Sequence, residues 1–230
     1  MAATSTPPAR ERTTASDTVY GALKRDIITL RLAPGAALTE QQLARSHRTS
    51  RVPVREACRR LQQEGLLTAI PYKGYFVSQI SLKEIEDCFD LRASLEAFAV
   101  ERAVERASAA DLAGLAELAR TEYTYDDRAS YAEFLERNLE FHLRLAQLTG
   151  NGRLVHTLHD LVESMQRFFF LGLDLGDYGG EMRSEHEELV ELMAARSAER
   201  AVGCMRDQIA ASRERVLRAV LQGRVELPIR

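Results

Sequence analysis

The sequence predicts a mainly α-helical protein in which a winged helix-turn-helix, three helices plus a β-hairpin, precedes an antiparallel α-helical bundle. Three observations predict it. Between residues 17 and 80, three short stretches of helical periodicity are followed by two β-prone runs on either side of Pro71-Tyr72-Lys73-Gly74. From Ser81 onward apolar residues recur every three or four positions, with clear breaks at Gly150-Asn151-Gly152 and across residues 172–180. The 230 residues include 13 Gly and 6 Pro, too few for an all-β architecture dense in turns.

Each element has a local reason. Residues 1–16 are small, polar and proline-containing, and read as a disordered tail. Val19, Leu23, Ile27 and Leu30 mark one face of a helix over 18–32, which Pro34-Gly35 stops. Thr39-Glu40-Gln41-Gln42 is a capping-box pattern and opens a short helix to about Ser46. Ser50 is placed to cap a third helix, whose first turn tolerates Pro53; Val54, Ala57, Cys58 and Leu61 face inward, and Gly65 ends it. Residues 66–70 and 75–78 then read as a hairpin. Ser81-Leu82-Lys83-Glu84 is a second capping box, and helices are expected at about 81–106, 109–125, 130–149, 152–171, 181–195 and 198–222. The predicted organisation is thus a tail (1–16), a winged unit (17–80), a helical unit (81–222) and a C-terminal tail (223–230).

Charge divides the chain at the same place. Residues 1–80 carry 12 basic and 6 acidic side chains, whereas residues 81–230 carry 19 and 28. A basic front and an acidic back suit two units with different partners. No apolar run reaches the ~20 residues of a membrane span, and the N-terminus lacks the apolar core of a signal peptide, so a cytoplasmic location is expected. Cys58, Cys88 and Cys204 are odd in number and far apart, which argues against a disulfide framework or a cysteine zinc module.

The third helix has the chemistry of a DNA reader. Arg51 and Arg55 lie four apart on one outward face, Arg59 continues it, and Arg60 lies beside it. An arginine fork matches guanine O6 and N7. Ser50 and the helix start can meet phosphate, and Lys73-Gly74 at the hairpin tip can touch the backbone or minor groove. The run TSRVPVREACRRLQQEGLL, followed by PYKGYFV, resembles the winged-helix signature of the GntR family of bacterial transcription regulators. The resemblance implies that Arg51 and Arg55 read bases and that Lys73-Gly74 forms the wing tip. It departs at Val52, where Thr or Ser is common. The remaining chain resembles the all-helical FCD effector domain of the FadR-like branch, so that the likeness spans about residues 17–222.

The helical unit carries polar residues on apolar stripes. Asn138 and His142 fall among Tyr131, Phe134, Leu135, Phe141 and Leu145; His186 falls among Met182, Leu189, Val190 and Met193; Gln208 falls among Met205, Ile209 and Val216. Buried polar groups need partners, so these four are expected to converge on one cavity or to be satisfied core residues. The resemblance implies that Asn138, His142 and His186 correspond to ligands of a divalent metal (Zn, Ni or Mn type) in many FCD domains, with Gln208 in place of a further His. It also implies that Arg92, in Leu91-Arg92-Ala93-Ser94-Leu95-Glu96, holds the carboxylate of a small effector; the alternative is an ion pair with Glu96. His156 and His159 read as core or surface, and Phe168-Phe169-Phe170 as core or dimer interface.

Together these features lead to a ligand-responsive, dimeric, sequence-specific DNA-binding regulator, of repressor type, acting on an inverted-repeat operator in double-stranded DNA. Two rivals are a metal-dependent helical-bundle enzyme, for which no GxSxG, HExxH or P-loop motif is found, and an architectural DNA binder without sequence preference.

Overall fold

The computed structural model describes residues 13–222. The chain begins with α1 (Ala15–Ile28), β1 (Ala37–Leu38), α2 (Glu40–Ser46), α3 (Arg51–Gln63), β2 (Leu67–Ile70) and β3 (Gly74–Val77). Six helices follow: α4 (Leu82–Arg106), α5 (Ala109–Ala119), α6 (Arg128–Leu148), α7 (Gly152–Leu173), α8 (Gly179–Ala194) and α9 (Ala198–Leu221). The expected tail at 223–230, and residues 1–12 of the expected tail at 1–16, lie outside the described residues.

The rest of that N-terminal expectation is corrected. Thr14 caps α1 by accepting from the Asp17 backbone N–H, and the Asp17 carboxylate accepts from the Thr14 N–H. This reciprocal box starts the helix three residues before the expected Thr18. The helix also ends early, at Ile28, because Leu30 takes a positive φ of 57°.

Two cores hold the chain. Val19, Leu23 and Ile27 of α1 meet Leu43, Val54, Ala57, Cys58 and Leu61 of the next two helices, and the hairpin closes this core with Leu66, Leu67 and Val77. The second begins at Ile80 and runs through all six later helices to Val220. Phe168, Phe169 and Phe170 belong to it. The last six helices start and stop within a few residues of expectation, except that α5 ends at Ala119 rather than 125.

The hairpin is part of a three-stranded antiparallel sheet in the order β1-β3-β2. Ala37 pairs with Phe76 and Leu38 with Tyr75, while Leu67 pairs with Val77 and Ile70 with Gly74. A two-residue strand offers no period to read, which is why β1 escapes sequence analysis. Gly74 makes the closeness of β1 possible. Its φ is +100°, and a Cβ there would stand 2.8 Å from the Leu38 carbonyl oxygen. At Gly65 φ is +73° but a Cβ would meet nothing within 4 Å. Gly74→Ala should therefore destabilise the protein by about 2 kcal/mol or more, and Gly65→Ala by about 1 kcal/mol. Urea unfolding of both variants checks the order; equal losses would mean that backbone conformation alone, not the approach of β1, matters at Gly74.

Candidate functional site

The outward face of α3 is built by its inward one. With Val54, Ala57, Cys58 and Leu61 fully buried, Arg51, Arg55 and Arg59 are all exposed. Arg60 is different: its Nη1 donates to Asp17 at 2.8 Å, and its guanidinium lies 3.8 Å from the Tyr20 ring centroid, so it ties α3 to α1. Ser50 occupies the N-cap position with extended backbone, but its side chain makes no capping hydrogen bond. The expected cap is thus corrected, and the reason is Pro53. The Ser and Thr caps at 14, 39, 81 and 108 bond the N–H three residues on, while Ser197, like Ser50, makes no capping bond. Proline has no N–H to offer. The Ser50 hydroxyl keeps its capacity for another partner beside the α3 N-terminus.

Arg55 is held from behind. Its Nε and Nη2 donate to the two Glu40 carboxylate oxygens at 2.7 and 2.8 Å, across from α2. This bidentate pair uses one edge of the guanidinium and leaves the Nη1–Nη2 end, with two parallel N–H groups, facing away. The Arg55 guanidinium lowers the Glu40 carboxyl below its ordinary range. Glu40 was not singled out by sequence analysis; its only signal was its place one residue inside the Thr39 cap.

The wing projects its tip. Lys73 N–H donates to the Ile70 carbonyl at 3.0 Å, closing a turn with Pro71 second and Tyr72, at φ 64°, third. That is the type II pattern, whose third position favours glycine. Tyr72 is fully exposed there (109% relative exposure), and Lys73 is exposed beside it.

In the helical unit, Arg92, Asn138, His142, His186 and Gln208 line one cavity, together with Leu135, Phe169, Met182, Glu185, Ser212 and Arg215. Four helices, α4, α6, α8 and α9, bring the five predicted residues together. Its centre is an ion cluster. Arg92 Nε donates to Glu96 Oε1 at 2.5 Å, and the other Glu96 oxygen meets His142 Nδ1. Arg92 Nη2 lies 2.9 Å from His142 Nε2. A guanidinium can only donate, so Nε2 accepts and Nδ1 carries the proton toward Glu96. Burial alone would raise the Glu96 carboxyl, but the charges of Arg92 and then His142 outweigh it and hold the group at about 2. Burial lowers His142, with Glu96 pulling the other way. Burial, then the neighbouring His142 and Arg92, pushes His186 down to about 3. The His186 ring stacks on Phe141 with centroids 4.3 Å apart.

Two polar atoms at the cavity are buried without hydrogen-bond partners: Asn138 Oδ1 and Gln208 Oε1. Gln208 Nε2 donates to the Glu185 carbonyl. Arg215 approaches the Glu185 carboxylate at 3.3 and 3.4 Å. Sequence analysis missed Arg215 and weighed Glu96 only as a partner for Arg92. Arg215 was within reach, since it falls seven residues after Gln208 on the same helix face. His156 is exposed and His159 half-buried; both sit beside Asp160, away from this cavity.

The cavity measures about 30 Å³, room for a water or two but not for an organic acid. Its donor set does not fit a divalent ion as arranged. His142 has both nitrogens engaged, and the Arg92 guanidinium brings a full positive charge to the place where a ligand lone pair would be needed. Among the described residues, no group of three or more His, Cys, Asp or Glu could hold a metal ion.

A basic helix-and-wing surface carried on a helical bundle with a buried polar cavity defines a DNA-binding transcription regulator. The chain belongs to the GntR family: it matches the profile described as bacterial regulatory proteins, gntR family, over residues 15–77, and that of the FCD domain over 87–211. It is 30% identical over 184 residues to YdhC, an uncharacterised HTH-type transcriptional regulator of Bacillus subtilis, covering 79% of this chain and 82% of the relative. It is 29% identical over 198 residues to the HTH-type transcriptional repressor GlaR of Escherichia coli, covering 83% and 90%. The fold is that of E. coli McbR/YncC, with a TM-score of 0.67 at 22% identity over 92% of this chain and 99% of that one. These relatives are transcription regulators, not enzymes. Among the described residues, no helix is long and apolar enough to cross a membrane.

The buried cluster predicts acid sensitivity. The unfolded chain binds a proton at His186 near pH 6.5, whereas the folded one refuses it until about 3. Stability should therefore fall as pH drops below 6.5, by up to about 1.4 kcal/mol per unit. Glu96 stabilises above its unfolded value of 4.5 and loses that contribution between 4.5 and about 2. Urea midpoints at pH 7, 6 and 5, with chelator present, should decline, and His186→Phe should flatten the decline. An unchanged slope in that variant would place the proton uptake elsewhere.

Proposed function

We propose that the chain is a repressor that binds an inverted-repeat operator as a homodimer and that a small carboxylate in the α4–α6–α8–α9 cavity alters its operator affinity. In this reading residues 17–80 read DNA, residues 81–222 sense the ligand and pair the subunits, and the protein works in the cytoplasm. The single observation that carries the sensing role is the convergence of Arg92, Asn138, His142, His186 and Gln208 on one buried cavity whose Asn138 and Gln208 oxygens have no partner.

On DNA, Arg51 and the free end of Arg55 meet base edges, Ser50 and Arg59 meet phosphates, and Lys73, presented by the Gly74 turn, meets the backbone beside the minor groove. One short helix reads few bases, which favours two subunits on a two-fold site. Arg51→Ala should lower affinity for a selected duplex by about tenfold or more while leaving random-duplex affinity nearly unchanged; Lys73→Ala should weaken both alike. Gel shifts at one salt concentration check this. Equal losses for Arg51→Ala on both duplexes would favour a sequence-indifferent architectural binder.

In the cavity, Arg92 is the carboxylate anchor. Glu96 and His142 take its Nε and Nη2, and for Nη1 no partner is found among the described residues. A cavity too small for its ligand must differ between the free and bound states, and that difference is what a ligand needs to shift a regulator. The route to DNA is α7. Its Phe169 lies under Arg92, with the guanidinium 5.2 Å from the ring centroid, and its Arg167 donates to the Ser78 carbonyl at 2.9 Å and to Glu84 at 2.7 Å. Its Glu163 lies 2.8 Å from Lys24 of α1. Thermal shifts against a panel of small carboxylates should find a stabilising ligand, and Arg92→Gln should abolish that shift while selected-duplex binding survives. Lys24→Met should keep the shift but lose its effect on DNA. A divalent ion on Asn138, His142 and His186 would require Arg92 to leave His142; elemental analysis showing one ion per chain would replace the guanidinium-centred reading.

A further inference from the structure

We propose that Val52 is a specificity-determining residue that reads a thymine methyl group in the major groove. The inference rests on α3 being the DNA-reading helix and goes beyond the arginines assigned to it. Val52 is 73% exposed, the most exposed large aliphatic side chain of the winged unit among the described residues. Helical geometry puts it on the side of α3 opposite the buried Val54, Ala57, Cys58 and Leu61, at the middle of the outward face and in the first turn. Recognition helices approach base edges with their N-terminal residues.

Folding gives nothing back for this side chain. A β-branched residue is a weak helix former, and its methyls remain in water in the free protein. A single exposed apolar residue is ordinary on a protein surface, but the distribution here is not scattered. The exposed large apolar side chains of the winged unit are Val52, Ile70 and Tyr72, one on the reading helix and two at the wing turn. All belong to the two elements that would meet DNA. Around Val52 the polar neighbours suit base edges more than phosphates. Arg55 follows at i+3, already braced by Glu40, and Glu56 at i+4 is a carboxylate that the phosphate backbone would repel. What the groove offers an apolar group between such neighbours is the C5-methyl of thymine, which other bases lack.

Burying one methyl group against another corresponds to about a fourfold change in affinity. The experiment starts with selection from a random duplex library by the full chain, which defines a preferred site whatever the natural operator is. Each thymine of that site is then replaced by deoxyuridine, removing only the methyl. The expected result is one symmetry-related thymine position where the swap weakens wild-type binding about fourfold per half-site. For Val52→Ser, thymine and uracil duplexes should bind alike at that position, and the remaining preferences, guanines included, should persist. Because Val52 is exposed, its replacement should leave the thermal midpoint unchanged, so a lost ratio reports recognition and not folding. Wild-type protein indifferent to every thymine-to-uracil swap would overturn the proposal, as would an undiminished ratio in Val52→Ser. Failure to select any preferred site would instead overturn the DNA-reading role of α3 itself.

Discussion

A carboxylate with 1% of its surface in contact with water must be neutralised where it stands, and Glu96 is such a group. Much of the chemistry of the helical unit follows from that constraint. Arg92 lies one helical turn away and answers it first; His142, reaching in from α6, answers with its Nδ1 proton. Once the proton sits on Nδ1, Nε2 has a lone pair to offer, and Arg92 takes that too. The three side chains close a ring of charge-assisted contacts. Each fixes the next, so neither the tautomer nor the guanidinium rotamer is free to be chosen by something else.

The winged unit shows the same logic with opposite exposure. There the charges stay in water, and the structure's task is to aim them. Glu40 takes one edge of Arg55 and leaves the other edge outward. Pro53 removes the N–H that Ser50 would otherwise bond, so the helix start has a hydroxyl and open backbone donors in one place. Arg60, one residue from Arg59, is withdrawn into an ion pair with Asp17 and stacking on Tyr20. Of the four arginines of α3, three thus stay exposed and one is drawn into the fold.

How much of this was legible in the sequence depended on the range of the interaction. The order of elements other than β1, the turn at Gly74, and the inward stripes of the six later helices all rest on contacts within a few residues, and local patterns reveal them. The same reading picked out Asn138, His142, His186 and Gln208, because a polar residue on an apolar stripe is conspicuous, and the folded chain brings all four to one cavity. It did not find Arg215 or Glu185, whose pairing spans 30 residues, and it did not see that Glu96 joins His142 across 46. Local patterns also misled where chemistry substituted for geometry. Thr14-Ala15-Ser16-Asp17 caps α1 with an aspartate where the pattern sought Glu or Gln, and Ser50 lacks a capping bond because the partner position is a proline.

The two units are joined through α7, and the kind of contact matters. Lys24 is largely buried between Glu64 of its own unit and Glu163 of α7, with its Nζ 2.8 Å from each. Burial alone would disfavour its charge, but Glu163 and Glu64 outweigh that and raise its pKa. Two carboxylates on one buried ammonium leave its charge paired from both units at once. Arg167, in contrast, donates to a backbone carbonyl at Ser78 and to Glu84 at the start of α4, and so ties α7 to the segment that joins the two units. Phe169, two residues from Arg167, lies beneath the cavity's guanidinium, so one helix touches the cavity and carries contacts to the winged unit as well.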